Sequence, residues 1–381
     1  MTVASVYCHY HRLLLPPLSS MAVLTRSRAA AEGARKSILR FPNEILSMVI
    51  EYLSTLELWA LCLTSKRLRS IATPLLYRNI HLRSAEQTGL FIRTIQSQPS
   101  ESSESLILRV QEFVISNDNA LVGATPQIID DLNSVVIQMT KLKHLLLSSK
   151  AFIDFTHLLQ SSNFRYLQTF RYVLHPTPSS TDSEEFLKFL ARHRATLTTL
   201  HVDCEKPITF AHSIDLPLLH TYDGPSWALK FLKKSVGSLR SVVLRWKEPD
   251  IDYRSPLKQL SKAHSIQTLE IVVDTFPGRL REPTILAAVA QSVPHVQILR
   301  FSRSALYGFS FDDLMPMRQH LSRFTALSEL RFAIFRRESV SAVNDDLPIL
   351  DSWLRVCGTL CMVHLDGLDW RLVDGAWIPS G

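Results

Sequence analysis

Apolar positions in this chain follow two rhythms, and the change between them falls near residue 100. From Phe41 the rhythm is helical. In "FPNEILSMVIEYL", Ile45, Leu46, Val49, Ile50 and Leu53 recur at helical spacing, which predicts a helix with one apolar stripe. Pro42 is expected at the first helical position, where its missing N–H leaves no bond unmade, and Glu44 suits the first turn. Ser54 or Thr55 predicts a cap for a second helix, "LELWALCLTS", with Leu58, Leu61 and Cys62 on its apolar side. A third helix, in "SKRLRSIAT", places Leu68, Ile71 and Ala72 on one face and is expected to stop at Pro74. Three short helices in about 35 residues bury little core. Such a unit is expected to keep apolar surface exposed until something covers it.

Beyond residue 100 a short L-x-x-L-x-L pattern recurs. Its copies are Val110–Phe113–Ile115, Leu142–Leu145–Leu147, Leu167–Phe170–Tyr172, Leu197–Leu200–Val202, Leu239–Val242–Leu244, Ile266–Leu269–Ile271, Val296–Leu299–Phe301, Leu327–Leu330–Phe332 and Leu360–Val363–Leu365. A weaker copy starts at Leu219 with Tyr222, and the starts are 20 to 33 residues apart. Helical stripes lie between them: Ile128, Ile129, Leu132, Val135, Val136 and Met139; Phe186, Leu187 and Leu190; Ile285, Leu286 and Val289; Leu347, Leu350 and Leu354. Pro225, Pro256 and Pro283 stand at or near the starts of such segments. Strand and helix in alternation predict an α/β fold, with parallel strands inside and helices outside.

Composition narrows the function classes. The chain has 381 residues, 46% of them apolar and 20% charged, which suits a chain that buries a core. No stretch approaches the ~20 consecutive apolar residues of a membrane-spanning helix, so no membrane is expected. Five scattered cysteines (Cys8, Cys62, Cys204, Cys357, Cys361) predict reduced thiols, hence a cytoplasmic or nuclear protein. Of the net charge of +7, +4 falls in residues 1–37, where Arg12, Arg26, Arg28, Arg35 and Lys36 face only Glu32. The remainder is too weakly basic for a phosphate-tracking groove, so nucleic acid is not an expected partner. Residues 1–37 read as a disordered basic leader; a transit peptide is the alternative.

Catalytic signatures are missing from the sequence. It contains no G-x-G-x-x-G, P-loop, H-E-x-x-H or G-x-S-x-G. His9 and His11 have no companion ligand, and Cys357 with Cys361 has no second pair, so no metal or cofactor is expected. Asp312-Asp313 and Asp345-Asp346 open helix-like segments, where the helix dipole accounts for them, and Asp130-Asp131 lies at another. The reading is therefore a binding protein and not an enzyme.

Strand alternation supplies the candidate binding face. In each repeat the residue between the last two apolar positions points away from the core. These residues are Leu146, Arg171, His201, Asp223, Val243, Glu270, Arg300, Arg331 and His364. Arg171, His201, Arg300, Arg331 and His364, with Arg245 and Arg303 nearby, predict a moderately basic face suited to an acidic or phosphorylated partner. A solvated strand surface with no binding role is the alternative. Trp227, Trp246, Trp353, Trp370 and Trp377 are expected in core or rim packing.

The segment "ILRFPNEILSMVIEYLSTLELWALCLTSKRLRSIATPLLYRNIHL" (38–82) resembles the F-box. Pro42, Glu44, Ile45, Leu46, Tyr52-Leu53, Glu57-Leu58, Ser65 and Lys66 match its pattern, while Phe41 replaces the usual Leu, Thr64 a Val and Leu68 a frequent Trp. The resemblance implies docking on a Skp-type adaptor, and through it on a cullin, within a ubiquitin ligase that recruits an unknown protein substrate. It implies that Phe41, Pro42, Ile45, Leu46, Ile50, Leu53, Leu58, Leu61 and Leu68 supply the core or the adaptor-facing surface. The continuation is similar to fungal F-box proteins with a divergent leucine-rich-repeat-like domain. The expected architecture is a leader at 1–37, the F-box at 38–82, a junction at 83–104 and an irregular leucine-rich-repeat-like solenoid at 105–381. Regular repeats carry Asn or Cys at the turn; here Lys150, His175, Glu205, Lys247 and Asp274 stand there, so an asparagine ladder is not expected. An irregular α/β domain without true repeats is the alternative fold. A scaffold with no degradation role, or an organellar or nucleic-acid-binding protein led by the basic N-terminus, are the alternative functions.

Overall fold

The helical rhythm after Phe41 yields three helices: α1 (Asn43–Ile50), α2 (Thr55–Thr64) and α3 (Lys66–Leu76). The computed structural model describes residues 41–97, 106–115, 121, 123–147, 155–174, 180–204, 210, 212–246, 253–273, 282–303, 314–333, 343–365 and 368–380. The leader, the later part of the junction, the turn positions Lys150, His175, Glu205, Lys247 and Asp274, and Asp312-Asp313 lie outside the described residues, as do the side chains of Arg303 and Asp345.

Pro42 is the residue before α1, one position earlier than its N–H argument suggests, and its side chain caps nothing. Ser54 caps α2 in a reciprocal box with Glu57: the Glu57 N–H donates to Ser54 Oγ at 3.4 Å, and the Ser54 N–H donates to Glu57 Oε2 at 2.7 Å. Ser65 caps α3. That helix runs through Pro74, contrary to the expected stop. Its last turn is closed by Tyr77 N–H donating to Thr73 O at 3.2 Å, a bond that does not need the missing proline donor.

The chain then divides into two compact units, the first running to Leu158 with Phe164–Tyr166, the second comprising Leu159–Asn163 and Leu167–Gly381. After the helices, the first unit holds β1 (Asn79–Leu82), α4 (Ala85–Gln96), β2 (Glu112–Ile115), α5 (Pro126–Ile137) and β3 (His144–Leu147). Its three strands pair in parallel, in sequence order. Strand β1 falls inside the segment that resembles the F-box. "NIHL" lacks the longer repeat pattern, which is why periodicity did not mark it.

In the second unit β4 (Thr169–Leu174), β5 (Thr199–Cys204), β6 (Thr221–Pro225), β7 (Ser241–Trp246), β8 (Thr268–Val273), β9 (Ile298–Arg303), β10 (Glu329–Ala333) and β11 (Met362–Leu365) pair in parallel, each with the next. Helices α6 (Ser180–Arg192), α7 (Arg254–Leu260), α8 (Glu282–Ser292), α9 (Arg318–Leu321) and α10 (Val343–Leu354) lie in the connections, and two 3-10 turns serve between β6 and β7. The arrangement is solenoid-like. Phe170, Leu200, Tyr222, Val242, Leu269, Leu299, Leu330 and Val363 stand in one register row and are all buried. Helices cover this face, with Phe189 of α6 4.6 Å from Phe170 and Trp353 of α10 6.0 Å from Phe332. In α10 the buried stripe is Ile349, Leu350 and Trp353, turned from the expected Leu347 and Leu354, which are half-buried.

The last two strands depart from the parallel order. β12 (Leu368–Val373) and β13 (Ala376–Ser380) run antiparallel as a hairpin at the end of the sheet, turning through Asp374 and Gly375, both at positive φ. Trp370 and Trp377 bury their rings there, as an end cap requires.

A ladder does exist, built from other groups. One carbonyl ahead of each strand accepts two N–H groups from the entry to the next: Gln168 O from Thr198 and Thr199, Thr198 O from His220 and Thr221, His220 O from Arg240 and Ser241, Arg240 O from Gln267 and Thr268, Gln267 O from Gln297 and Ile298, Gln297 O from Ser328 and Glu329. Hydroxyls extend it. Ser238, Ser265 and Thr359, each just before a repeat's first core residue, donate to Leu219 O, Leu239 O and Leu327 O at 2.8, 2.7 and 2.7 Å. Backbone groups at the strand entry thus find partners without an asparagine at the exit.

Candidate functional site

Helix α1 carries two apolar faces. Leu46 (5% exposed) and Ile50 pack inward with Leu58, Cys62, Leu68 and Ala72, flanked by half-buried Leu53, Leu61 and Ile71. On the opposite side Ile45, Met48 and Val49 stand at i, i+3 and i+4, with Met48 63% and Val49 60% exposed, and Tyr52, 91% exposed, follows in the turn just past the helix. Phe41 and Pro42 lie exposed just ahead of them. The expected single stripe therefore splits. Val49 and Ile45 face solvent, while Leu46 and Ile50 hold the module together, because an eight-residue helix on one layer can bury only part of its circumference.

Helix α2 repeats the device. Leu58 and Cys62 are buried, whereas Leu56, Ala60 and Leu63 are exposed and Trp59 is half-buried, at i, i+3, i+4 and i+7. Leucines and methionines at this spacing, held on a prefolded helix, are the anchors by which helices dock into apolar grooves. The nine positions carried by the resemblance thus separate. Leu46, Ile50, Leu58 and Leu68 are core, Leu53 and Leu61 back the core, and Phe41, Pro42 and Ile45 are surface. Met48, Val49, Tyr52, Leu56 and Leu63 join the surface set. Their spacing was visible in the sequence, but fitting all apolar residues to one stripe concealed it.

Two arginines of α3 hold α1 and α2. Arg67 donates from Nη2 to Phe41 O at 2.6 Å and from Nε to Asn43 Oδ1 at 2.9 Å, while Arg69 Nε donates to Cys62 O at 2.8 Å, in the last turn of α2. The second contact satisfies a carbonyl that has no partner within its own helix. Thr64, where the F-box pattern has Val, is exposed and donates to Leu61 O at 2.8 Å, so its hydroxyl is not buried alone.

The open face of the second unit is not the basic surface that its third register row suggested. Asp223 on β6 accepts from His201 at 3.1 Å and from Arg245 at 2.8 and 3.0 Å. Burial alone would raise the Asp223 carboxyl, but the hydrogen bonds from His201 and Arg245 and the arginine charge outweigh it and bring it down to about 2. Glu329 is paired with both Arg300, at 3.5 Å, and Arg331. His364 meets Asp369 at 2.7 Å, and Ser302 donates to Glu270 at 3.0 Å. Arg171 is exposed. Glu329 lies two residues before Arg331 on the same face, with its side chain 13% exposed, and Asp369 comes from the hairpin that the repeat pattern does not mark. The face therefore carries alternating, largely paired charge.

Among the described residues no group of three or more His, Cys, Asp or Glu is arranged to hold a metal, and no helix is long and apolar enough to cross a membrane. Trp246, Trp353, Trp370 and Trp377 are buried and Trp227 half-buried, in keeping with packing roles. Residues 38–83 match the family model described as F-box-like, so the chain carries an F-box-like domain over the helices that bear the exposed stripes. The sequence matches none of the curated proteins.

Proposed function

We propose that this chain is the substrate-recruiting subunit of a Skp–cullin–F-box type ubiquitin ligase. The observation that carries this reading is the outward apolar stripe of α1, Ile45, Met48 and Val49, with Tyr52 just past it, within the segment that matches the F-box-like model. F-box domains bind Skp-type adaptors, and an apolar groove on that adaptor would cover the stripes of α1 and α2. The cullin is then reached through the adaptor, without direct contact. A recruiting subunit needs no catalytic side chain or cofactor of its own, because ubiquitin transfer belongs to partner subunits. Its place of work is the cytoplasm, the nucleus or both.

The target is assigned to the open face of the second unit, around Arg171, His201, Arg300, Arg331 and His364. Because four of these five side chains already face carboxylates, the face suits a protein segment of mixed charge better than a purely acidic one. Affinity capture of the full chain, with and without proteasome inhibition, tests the whole assignment. Mass spectrometry is expected to recover a Skp-type adaptor and a cullin in both conditions, and a further protein enriched by inhibition. Loss of the cullin with the adaptor retained would favour the scaffold reading; loss of both would refute the proposal.

A further inference from the structure

We infer that Arg67 is a positioning residue for docking, one that acts through Phe41 without itself being an anchor; this rests on the adaptor reading above. Three observations converge. First, α1 begins without a side-chain cap, since Pro42 offers none and Asn43 is already helical. Its entry is therefore free to fray, as uncapped first turns do. Second, Arg67 reaches from the first turn of α3, 24 and 26 residues along the chain, and bonds Asn43 and Phe41 with two arms of one planar guanidinium. A planar fork fixes direction as well as distance, which a lysine ammonium does not. Third, the residue it holds by the backbone is the exposed aromatic at the head of the outward stripe, and Phe41 has no helical hydrogen bond of its own to fix it.

The consequence is preorganisation. With its carbonyl fixed, Phe41 is held at the entry of α1 before any partner arrives. Ordering that segment then need not be done at the moment of association. Arg69 does the corresponding work at the other docking helix by holding the last turn of α2.

A double-mutant cycle in the full chain tests this, with binding of a purified Skp-type adaptor measured by calorimetry. Arg67→Met keeps the aliphatic length and removes the donors; Phe41→Ala removes the ring. Each alone is expected to weaken binding about 10-fold, and the double variant is expected to be little weaker than Phe41→Ala, because Arg67 acts through that ring. Arg67→Lys, which can satisfy only one acceptor well, is expected to recover part of the loss. Amide exchange at Leu46, whose N–H donates to Pro42 O at 3.1 Å, is expected to speed up in Arg67→Met. Multiplicative losses, or an Arg67→Met affinity equal to wild type, would overturn the inference while leaving the adaptor reading intact. No binding by the wild-type chain would overturn the adaptor reading itself, and this inference with it.

Discussion

Met48 offers the sharpest separation between surface and core in the docking module. It is 63% exposed, whereas Leu46, two residues earlier, is 5% exposed and packed among Ile50, Leu58 and Leu68. Fully burying a methionine or leucine side chain is worth about 1.5–3 kcal/mol. Docking would cover the exposed part of Met48, so Met48→Ala should lose about 1–2 kcal/mol of binding, which is about 5- to 30-fold in Kd. Folding should change by no more than about 0.5 kcal/mol, because the side chain touches little in the free chain and alanine favours helix. Leu46→Ala should behave in the opposite way, destabilising the module by about 2–5 kcal/mol through lost packing and a residual cavity. The assays are calorimetric titration with a purified Skp-type adaptor and thermal denaturation followed by circular dichroism. Equal affinity for Met48→Ala and wild type would refute the reasoning. So would a Met48→Ala chain that melts like Leu46→Ala.

Further outcomes follow from the second unit. The Asp223 carboxyl sits at about 2 against an ordinary 3.8, so its pairing stabilises the unit by about 2 kcal/mol above pH 4, and this is lost as pH falls toward 2. Asp223→Asn should remove that contribution at pH 7 and flatten the acid limb, read by denaturant titration at pH 7 and pH 3. Burial is the main cause that lowers the His193 imidazole, whose Nδ1 lies 2.8 Å from Phe189 O, so the folded chain favours the neutral ring. Stability from this site is therefore present above the ordinary histidine value and declines as pH drops below it; His193→Gln should shallow the slope between pH 7 and 5. Gly224→Ala should destabilise by about 1–3 kcal/mol, because the added Cβ would lie 2.6 Å from Tyr222 Oη and 2.9 Å from Val202 O, displacing a tyrosine that donates to Pro225 O at 2.9 Å. Ser265→Ala should cost about 1 kcal/mol by breaking the strand-entry ladder at Leu239 O. Thermal midpoints of the purified variants check both.

Much of the fold was legible because its signals are local. Every copy of the L-x-x-L-x-L pattern forms a strand, and the capping serine of α2 is where the chain announces it. What escaped was set by tertiary context. The β12–β13 hairpin carries no copy of the repeat, and its tryptophans read equally well as core or rim. The two faces of α1 could not be told apart because both are apolar; only packing against α3 decides that Leu46 turns in and Val49 turns out. On the open face, positions within one strand were correct, but charge pairing across strands depends on register, and Glu329 and Asp369 reach their cations only through it. The ladder was overlooked for a similar reason: it is made by backbone carbonyls and by Ser238, Ser265 and Thr359, which no residue pattern marks.

On the proposed function, the outward stripe of α1 is free in the isolated chain and covered by the adaptor in the complex. Oxidative footprinting of the full chain measures this side chain by side chain, with Met315 of the second unit, 43% exposed, as an internal reference. Rapid labelling of Met48 and Tyr52 is expected in the chain alone, with strong protection of both on adding a purified Skp-type adaptor and no change at Met315. Labelling of Met48 and Tyr52 that is already suppressed in the free chain, or that is unaltered by the adaptor, would contradict it.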